Sequence, residues 1–333
     1  MSNMHRALAV VTMIAASGCQ VDWGGGHIAL ENPAPPPAPA DAEASLEPEQ
    51  VPLPVEPLLY AVGLDRAGHA RVTPLARLAG GDGALRLGEI SIPATEDPSF
   101  RSRFDSAFLA PGTELDLLAR GNRLGSVLLE GREDSTAVAC PSIAVGRALV
   151  VPNQDLPAIA FAVPRGQSGF ASAARVPAAS PTRSMTVAGP VLAERLIGGD
   201  RAFLARLQSL SPVTLSGDTL AGMAATWMID DSLAVGPPGR DAVSLFFMAR
   251  FEPTRGFIPI WEELRRYADG EAKEALEFVD WIQLGTHRLD ILRQYDASSV
   301  RVAVSVTDPG EDRAISWVEP SGCAALDRLA GGS

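Results

Sequence analysis

The chain has 333 residues, of which 46% are hydrophobic, and it carries a formal net charge of −12. This hydrophobic content is enough to bury a sizeable core, in one large domain or two smaller ones. The acidic balance argues against nucleic acid as a partner, because proteins that bind nucleic acid need a basic surface. It also argues against attachment to anionic lipid by charge.

The first eighteen residues have the layout of a signal peptide: Arg6 precedes an apolar run from Ala7 to Ala16, and small residues follow. The run is too short to span a bilayer as a helix, which favours a secretory signal over an anchor. The end of this segment, Ala16-Ser17-Gly18-Cys19, resembles the lipobox of bacterial lipoproteins, with Ala16 where that family most often has Leu. The alternative is a plain secretory signal that leaves Cys19 as a free thiol.

The lipobox resemblance implies cleavage before Cys19 and a lipid on its thiol. Each buried methylene of the acyl chains contributes about 0.8 kcal/mol to membrane attachment. Gln20 stands where an Asp would imply inner-membrane retention in enteric bacteria. The resemblance therefore implies an outer-membrane lipoprotein that faces the periplasm or the cell surface.

Residues 19–57 have the composition of a tether. Gly24-Gly25-Gly26 is followed by five prolines between Pro33 and Pro39, and acidic and small residues fill the rest. Such a sequence cannot form a packed core and is expected to be extended, in part as polyproline II. At about 3.1 Å per residue, some thirty residues would reach roughly 80–90 Å. The segment is therefore predicted to hold a folded body away from the membrane.

The chain has three cysteines, Cys19, Cys140 and Cys323. An odd number in an exported protein is explained if Cys19 carries lipid. Cys140 and Cys323 are then predicted to form a disulfide, which an oxidising periplasm would preserve. In the chain-entropy model, so long a loop gives a stabilisation of roughly 4–5 kcal/mol. The alternative is that both are buried thiols.

Residues 58–164 are predicted to form an N-terminal β-rich domain, because apolar and polar residues alternate between turns. Gly121-Asn122 is a favoured two-residue hairpin turn. The predicted strands are Leu58–Leu64, Ala70–Leu75, Glu114–Arg120, Arg123–Glu130, Arg147–Val151 and Ala158–Val163. Residues 165–187, rich in Gly, Ala, Ser and Pro, are predicted to be a linker or long loop.

Residues 188–330 are predicted to form a C-terminal β-rich domain that opens with helices. One helix is predicted from Pro190 to Ile197, and a second after Asp200, because Phe203, Leu204, Leu207 and Leu210 have helical spacing. The predicted strands are Ala224–Ile229, Ala242–Phe251, Gly256–Trp261, Leu276–Leu284, Arg288–Gln294, Val300–Val306 and Ala314–Glu319. Helix-forming residues over Glu271–Leu276 leave a further helix open.

These elements predict a mainly β protein with a minor α component. The strands are expected to form antiparallel meanders, arranged as a sandwich or part of a propeller, with one short helical segment near residues 190–210. Whether the two β regions form one domain or two stays open.

Two segments resemble a degenerate strand–loop–strand of the FG-GAP-type propeller repeats. They are Phe278-Val279-Asp280 and Leu289-Asp290-Ile291-Leu292, with a loop from Trp281 to Arg288 between them. In that family the loop carries Asp and Gly residues that ligate calcium. The carboxylates are missing from this loop, so the resemblance implies that any metal function has been lost.

The sequence offers few residues with catalytic or metal-binding patterns. No His or Cys pair has the spacing of a zinc site, and no Gly-x-Ser-x-Gly, Walker or Ser-x-x-Lys pattern is present. We therefore predict no cofactor. Asp308, Glu311 and Asp312 are weak candidates for a calcium site, with an ordinary hairpin turn favoured. Trp227, Trp261, Trp281 and Trp317 are expected in the core or on sheet faces, and an exposed strip of them would suit a glycan.

The sequence thus favours a membrane-tethered envelope lipoprotein of a non-catalytic type, whose β-rich body binds or organises a protein or glycan partner. The alternative is a periplasmic hydrolase that uses carboxylates near His287, with Asp280 or Asp290 as its acid–base partner. A deep pocket with convergent polar groups would favour the hydrolase.

Overall fold

The computed structural model describes residues 50–81, 84–133, 140–150, 157–167, 182–215, 221–229, 242–268, 271, 273–295, 300–307 and 316–318. The elements are β1 (Leu58–Leu64), β2 (His69–Gly81), β3 (Ala84–Gly88), α1 (Phe100–Phe108), β4 (Glu114–Ala119), β5 (Asn122–Glu133), β6 (Ile143–Val150), β7 (Ile159–Pro164), α2 (Thr182–Ile197), a 3₁₀ turn (Ala202–Leu204), β8 (Arg206–Val213), β9 (Gly222–Ile229), β10 (Ala242–Glu252), β11 (Gly256–Tyr267), β12 (Ala275–Leu284), β13 (His287–Tyr295), β14 (Val300–Thr307) and β15 (Ser316–Val318). This mainly β, antiparallel architecture confirms the predicted fold class.

The N-terminal strands form a closed barrel of six strands in the order β1-β7-β4-β5-β6-β2, and β2 pairs with β1 to complete the ring. Strand β3 pairs with β2 outside the ring. Alternation along β1 explains the two surfaces of the barrel. Leu58, Tyr60 and Val62 belong to the interior core, whereas Leu59 and Ala61 belong to a second core outside it. Helix α1 packs against the interior core through Phe100 and Phe104.

The barrel strands come very close together at Gly146. An added Cβ at this position would lie 2.3 Å from the carbonyl oxygen of Leu128 on the paired strand. Only glycine allows this approach without a shift of the backbone, so the sequence of β6 is adapted to a tightly curved sheet.

The remaining strands form two four-stranded sheets, which we call the helix-backed sheet (β11-β10-β9-β8) and the central sheet (β12-β13-β14-β15). One face of the helix-backed sheet packs against α2 and the other against the central sheet, as in a sandwich. The opposite face of the central sheet packs on the outside of the barrel, where Ile282 and Ile291 join Leu59 and Phe161 in one core. The two predicted β regions therefore share a hydrophobic core.

Two of the helix predictions are wrong in detail. Helix α2 begins at Thr182, within the predicted linker, and Pro190 lies inside it rather than at its start. The predicted second helix is reduced to the 3₁₀ turn, and Leu207 and Leu210 lie in β8. Pairing of β8 with β9 accounts for this difference, because tertiary contacts readily override a weak local preference for helix. Leu276 likewise lies in β12 and not in a helix.

Candidate functional site

The best candidate for a functional site lies where the predicted tether meets the barrel. Before β1 begins, the chain passes through residues 51–56, which we call the junction segment. Its first residue, Val51, is held at both backbone groups. The Val51 N–H donates to Oδ2 of Asp97 at 3.1 Å, and the Val51 carbonyl accepts from Nη2 of Arg103 at 2.8 Å. Asp97 and Arg103 also form an ion pair with each other.

Asp97 is held as a carboxylate by its surroundings. The Ser99 hydroxyl donates to Oδ1 at 2.6 Å and the Ser99 backbone N–H at 2.9 Å. The Ser99 hydroxyl, Arg103 and the backbone N–H groups of Ser99 and Val51 lower the pKa of Asp97 to about 2, against the opposing effect of burial. A carboxylate with so low a pKa is a poor proton acceptor at neutral pH. Asp97 and Arg103 therefore form a structural clamp on Val51.

The junction segment forms one wall of a pocket of about 570 Å³. This volume falls in the range of about 300–1,000 Å³ that is usual for small-molecule sites. The apolar part of its lining includes Pro52, Leu53, Ile90 and Phe100. The pocket therefore presents an apolar surface at the point where the chain enters the body.

Three charged residues, Arg77, Glu56 and Glu89, line the same pocket. The Arg77 Nε donates to the backbone carbonyl of Glu89 at 2.9 Å, and its Nη1 lies 3.8 Å from Oε2 of Glu56. These contacts orient the guanidinium at the pocket. The arrangement suits a ligand or side chain with an apolar body and a polar end.

A second group of charged residues is buried in the central sheet. The side chains of Arg288 and Asp290 are only 3% and 5% exposed, and Nη2 of Arg288 lies 2.6 Å from Oδ1 of Asp290. The Arg288 guanidinium also lies 4.6 Å from the ring centre of Trp281 and donates to the backbone carbonyl of Thr214. Each partner thus neutralises or solvates the other, which is the requirement for burying charge.

Asp280 joins the central sheet to the barrel. Its two oxygens accept the backbone N–H of Arg120 at 2.9 and 2.8 Å, and Oδ1 also accepts the N–H of Trp281 at 2.8 Å. Burial raises the pKa of Asp280, and these N–H donors oppose that shift. Arg120 and Gly121 both have positive φ, 51° and 69°, and form the turn between β4 and β5. The predicted turn Gly121-Asn122 is therefore displaced by one residue.

The structure does not bring together the acid–base pair predicted around His287. His287 is the first residue of β13, and Asp290, three positions along the same strand, lies on the opposite face. Asp290 is paired with Arg288, and Asp280 is engaged by the barrel turn. No described contact links His287 to Asp280 or Asp290.

The segments that resemble an FG-GAP-type repeat are paired strands of one hairpin. Strand β12 continues to Leu284 and β13 begins at His287, so the loop is only Gly285-Thr286. The prediction of a loop from Trp281 to Arg288 is wrong, because both strands extend through it.

Several predicted site residues lie outside the described residues: Cys19, Cys323, Asp308, Glu311 and Asp312. Cys140 is described and is 5% exposed, three positions before β6 begins. The lipid, the disulfide and the calcium site therefore stay predictions. Within the described ranges, no group of three or more His, Cys, Asp or Glu is placed to hold a metal ion. In the same ranges, no helix has the length and apolarity needed to cross a membrane.

Among the tryptophans whose side chains the structure describes, Trp227, Trp261 and Trp281 do not form the exposed strip that a glycan surface would need. Trp227 and Trp281 are each 7% exposed. Trp261 is partly buried against Phe246, with ring centres 5.3 Å apart. Trp317 lies in β15.

The clamp and the pocket were not predicted from the sequence. Phe100, Phe104 and Phe108 recur every four residues, and Asp97-Pro98-Ser99 precedes them, which is a recognisable signal for the start of a helix. That signal predicts α1, but it does not reveal that the start of α1 binds Val51. No protein-family model, curated protein or solved structure matches the chain.

Proposed function

We propose that this chain is a membrane-tethered envelope lipoprotein of the binding type, held by lipid on Cys19 and extended from the outer membrane by the part of residues 19–57 that precedes the clamp on Val51. Its body binds an envelope protein or a glycan, and the pocket beside the junction segment receives the partner. The observation that carries the proposal is the clamp on Val51, because it lies where the Pro-rich segment ends and beside the pocket.

The clamp separates the movement of a tether from the shape of the pocket. Any displacement of the preceding chain acts first on Val51, which Asp97 and Arg103 hold by both of its backbone groups. The pocket wall formed by residues 52–56 lies on the other side of that attachment. A tethered body can therefore change its orientation while the pocket keeps its form.

The polar groups at the pocket support binding rather than proton transfer. Arg77 lines the pocket and is oriented by the Glu89 carbonyl. Asp97, which accepts the Val51 N–H next to the pocket, is held ionised by several donors. Apolar walls contribute most of the free energy when a hydrophobic group is buried, and a few oriented polar groups give specificity.

The test compares the wild-type chain with Cys19→Ser for membrane fractionation, for incorporation of labelled palmitate, and for partners captured by crosslinking in native membranes. Leu53→Asp places a charge in the pocket wall, and Leu149→Asp, on the outside of the barrel, is its matched control. We expect the wild-type chain and both Asp variants in the membrane fraction, and a much smaller share of the Cys19→Ser chain there. We expect the same captured partner with the wild type and Leu149→Asp only.

Two results would contradict the proposal. If the Cys19→Ser chain stays in membranes and incorporates as much palmitate as the wild type, the lipid is not on Cys19. If the Leu53→Asp chain captures the same partner as the wild type, the partner does not bind in the pocket.

A further inference from the structure

The helix-backed sheet has more apolar surface on its helix side than α2 covers. One cross-strand row of this sheet consists of Leu207, Trp227, Leu245 and Leu264. The two central members belong to the core with Met185 and Leu192 of α2. The two outer members, on the edge strands, remain 43% and 36% exposed. The helix therefore covers the middle of the row and leaves apolar side chains on both sides of itself.

The outer side of the helix continues this apolar surface. Val187 and Val191, one turn apart on α2, are 68% and 64% exposed, and Phe203 in the adjoining 3₁₀ turn is 66% exposed. Five of the eight large hydrophobic side chains exposed in the described residues thus lie on this side of the sheet. We call these five the apolar face: Val187, Val191, Phe203, Leu207 and Leu264.

Neighbouring residues hold the 3₁₀ turn so that the side chain of Phe203 is exposed. Nη1 of Arg206 donates to the backbone carbonyls of Phe203, Leu204 and Ala205 at 3.4, 3.2 and 3.2 Å. Ala202, the first residue of the turn, is buried in the core beneath α2. The turn is therefore held from both sides, and its aromatic side chain remains in solvent.

Arginine side chains lie at the border of the apolar face. Arg195 is exposed one turn beyond Val191, and Arg206 lies beside Phe203. Arg266 donates to the carbonyl of Ile197 at the end of the helix. Guanidinium groups at the edge of an apolar surface are suited to the headgroup layer of a membrane, where the stem contacts apolar groups and the charge stays hydrated.

We infer that the apolar face rests on the membrane to which the chain is tethered, so that its partner is a lipid surface. This inference depends on the proposed lipid at Cys19. Gln50, where the described body begins, follows Cys19 by 31 positions, which allows a reach of roughly 95 Å at about 3.1 Å per residue. The face can therefore contact the membrane without strain in the tether.

A membrane fits this face better than a protein does. A stable protein interface buries at least about 1,000 Å² in total, whereas a face on a lipid-anchored body needs only weak affinity, because the anchor keeps its local concentration high. Stable membrane attachment commonly combines a lipid chain with a second signal of this kind. A second copy of the chain is opposed by repulsion, since each copy carries a net charge of −12.

The overall negative charge also determines which interaction can attract the apolar face to the membrane. Burial of apolar side chains, rather than charge, must supply the attraction in so acidic a protein. Binding to vesicles should therefore depend only weakly on ionic strength and should not require anionic lipid.

The experiment measures co-sedimentation of the Cys19→Ser chain, which carries no lipid, with vesicles of phosphatidylethanolamine and phosphatidylcholine, which have no net charge. We expect measurable partition that Phe203→Ser lowers about tenfold and that the double variant Val187→Ser/Val191→Ser lowers at least as much. Leu149→Ser is the matched control, because Leu149 is 52% exposed on the barrel. Its partition should equal that of the parent chain. Circular dichroism and the urea midpoint check that each variant is folded.

Three results would overturn the inference: no partition of the Cys19→Ser chain, an equal loss with Leu149→Ser, or dimerisation in sedimentation velocity that Phe203→Ser abolishes in the absence of vesicle binding. The result is separable from the proposed function. If the wild-type chain is lipidated and membrane-bound but its Cys19→Ser form does not bind vesicles, the proposed lipid tether is supported and the inference about the apolar face is wrong.

Discussion

The barrel and the helix-backed sheet bury their strands in different ways. In the barrel the ring closes, so each of its six strands has a hydrogen-bonded neighbour on both sides. In the helix-backed sheet, β8 and β11 are the edge strands of the described sheet order. Closure removes edges altogether, whereas an open sheet must be covered or left in contact with solvent. The barrel ring thus has no free strand edge, although its outer face packs on the central sheet, whereas the described helix-backed sheet has two edge strands.

The two regions also differ in where they bury charge. The buried carboxylates of the barrel region pair with arginines that keep contact with solvent: Asp105 with Arg101 at 3.9 Å and Asp116 with Arg123 at 2.6 Å. In the ion pair of the central sheet, by contrast, both side chains are buried. Removal of one charge should therefore affect the stacked sheets more than the barrel. The comparison gives a set of ordered expectations.

The largest expected effect comes from the predicted disulfide, which would tie Cys140 of the barrel region to Cys323 near the end of the chain. Cys140→Ala, Cys323→Ala and the double variant should each lower the free energy of unfolding by the same amount, roughly 4–5 kcal/mol. Urea unfolding under oxidising conditions measures this difference.

The matched control is the same set of variants in the presence of a reductant, where the differences from the wild type should nearly vanish. Unequal effects of the two single variants under oxidising conditions would show that the two cysteines are not partners, and the barrel and the later sheets would then be held together by packing alone.

Breaking the buried ion pair should have the next largest effect. Arg288→Met leaves the Asp290 carboxylate buried without its partner, and we expect a loss of about 3–5 kcal/mol in the free energy of unfolding. Replacing both residues, as Arg288→Met/Asp290→Leu, should recover most of that loss, because no unpaired charge remains. Urea denaturation measures both variants.

An exposed ion pair provides the control for this prediction. Nη1 of Arg255 lies 3.4 Å from Oε2 of Glu252, and the two side chains are 69% and 36% exposed. Arg255→Met should cost less than about 1 kcal/mol, since water and salt screen such pairs. Equal losses for Arg288→Met and Arg255→Met would mean that the central sheet is more hydrated than its burial indicates.

Much of the strand content could be predicted from the sequence, because adjacent strands are joined by short turns and alternate in hydrophobicity. Strand β13, for example, was predicted as Arg288–Gln294 and is observed as His287–Tyr295. Closure of the barrel could not be predicted in this way. It depends on pairing between β1 and β7, about a hundred residues apart, and local patterns carry no information on such a pairing.

The candidate site likewise depends on contacts between residues that are distant in the sequence, which local patterns do not predict. Asp97 and Arg103 are six positions apart, which is not a helical neighbour spacing, so their ion pair could not be predicted from the sequence. Their contacts with Val51 span 46 and 52 residues and follow from the packing of α1 against the barrel. Helical spacing also predicted a helix at Leu207 and Leu210, where β8 is observed, because short apolar patterns fit both kinds of element.

Contact between the barrel and the central sheet can be tested at Gly121. Its N–H donates to the Trp281 carbonyl at 2.8 Å, and an added Cβ would lie 2.2 Å from the Trp281 ring. Gly121→Ala should therefore lower the free energy of unfolding by about 1–3 kcal/mol through overpacking, in addition to the strain of its positive φ. Urea unfolding gives the value.

Gly112→Ala isolates the contribution of strain. Gly112 also has a positive φ, 86°, but an added Cβ there would have no neighbour within 4 Å. We expect a loss of only about 1 kcal/mol at this position. If the two variants lose the same amount, the turn moves away from Trp281 freely, and the barrel is less closely joined to the central sheet than the structure indicates.

The smallest expected effect is the pH dependence of the clamp. The pKa of Asp97 is lowered to about 2 in the folded chain, from its usual 3.8. A lowered folded pKa stabilises the fold fully above the unfolded value and loses that effect as the pH falls through the folded value. The stability difference between the wild type and Asp97→Asn should therefore be constant above about pH 5 and should shrink between about pH 4 and pH 2.

Ser99→Ala sharpens this test, because the hydrogen bond from the Ser99 hydroxyl is the largest cause of the lowered pKa. With Ser99→Ala, the folded pKa of Asp97 moves back toward its usual value, so the pH-dependent loss of stability should be smaller than in the wild type and should be complete at a higher pH, while Asp97→Asn should show no such step. A pH profile that is unchanged in both variants would mean that Asp97 is not ionised in its observed contacts. The ion pair with Arg103 could then not hold Val51, and the pocket wall would not be isolated from the chain that precedes it.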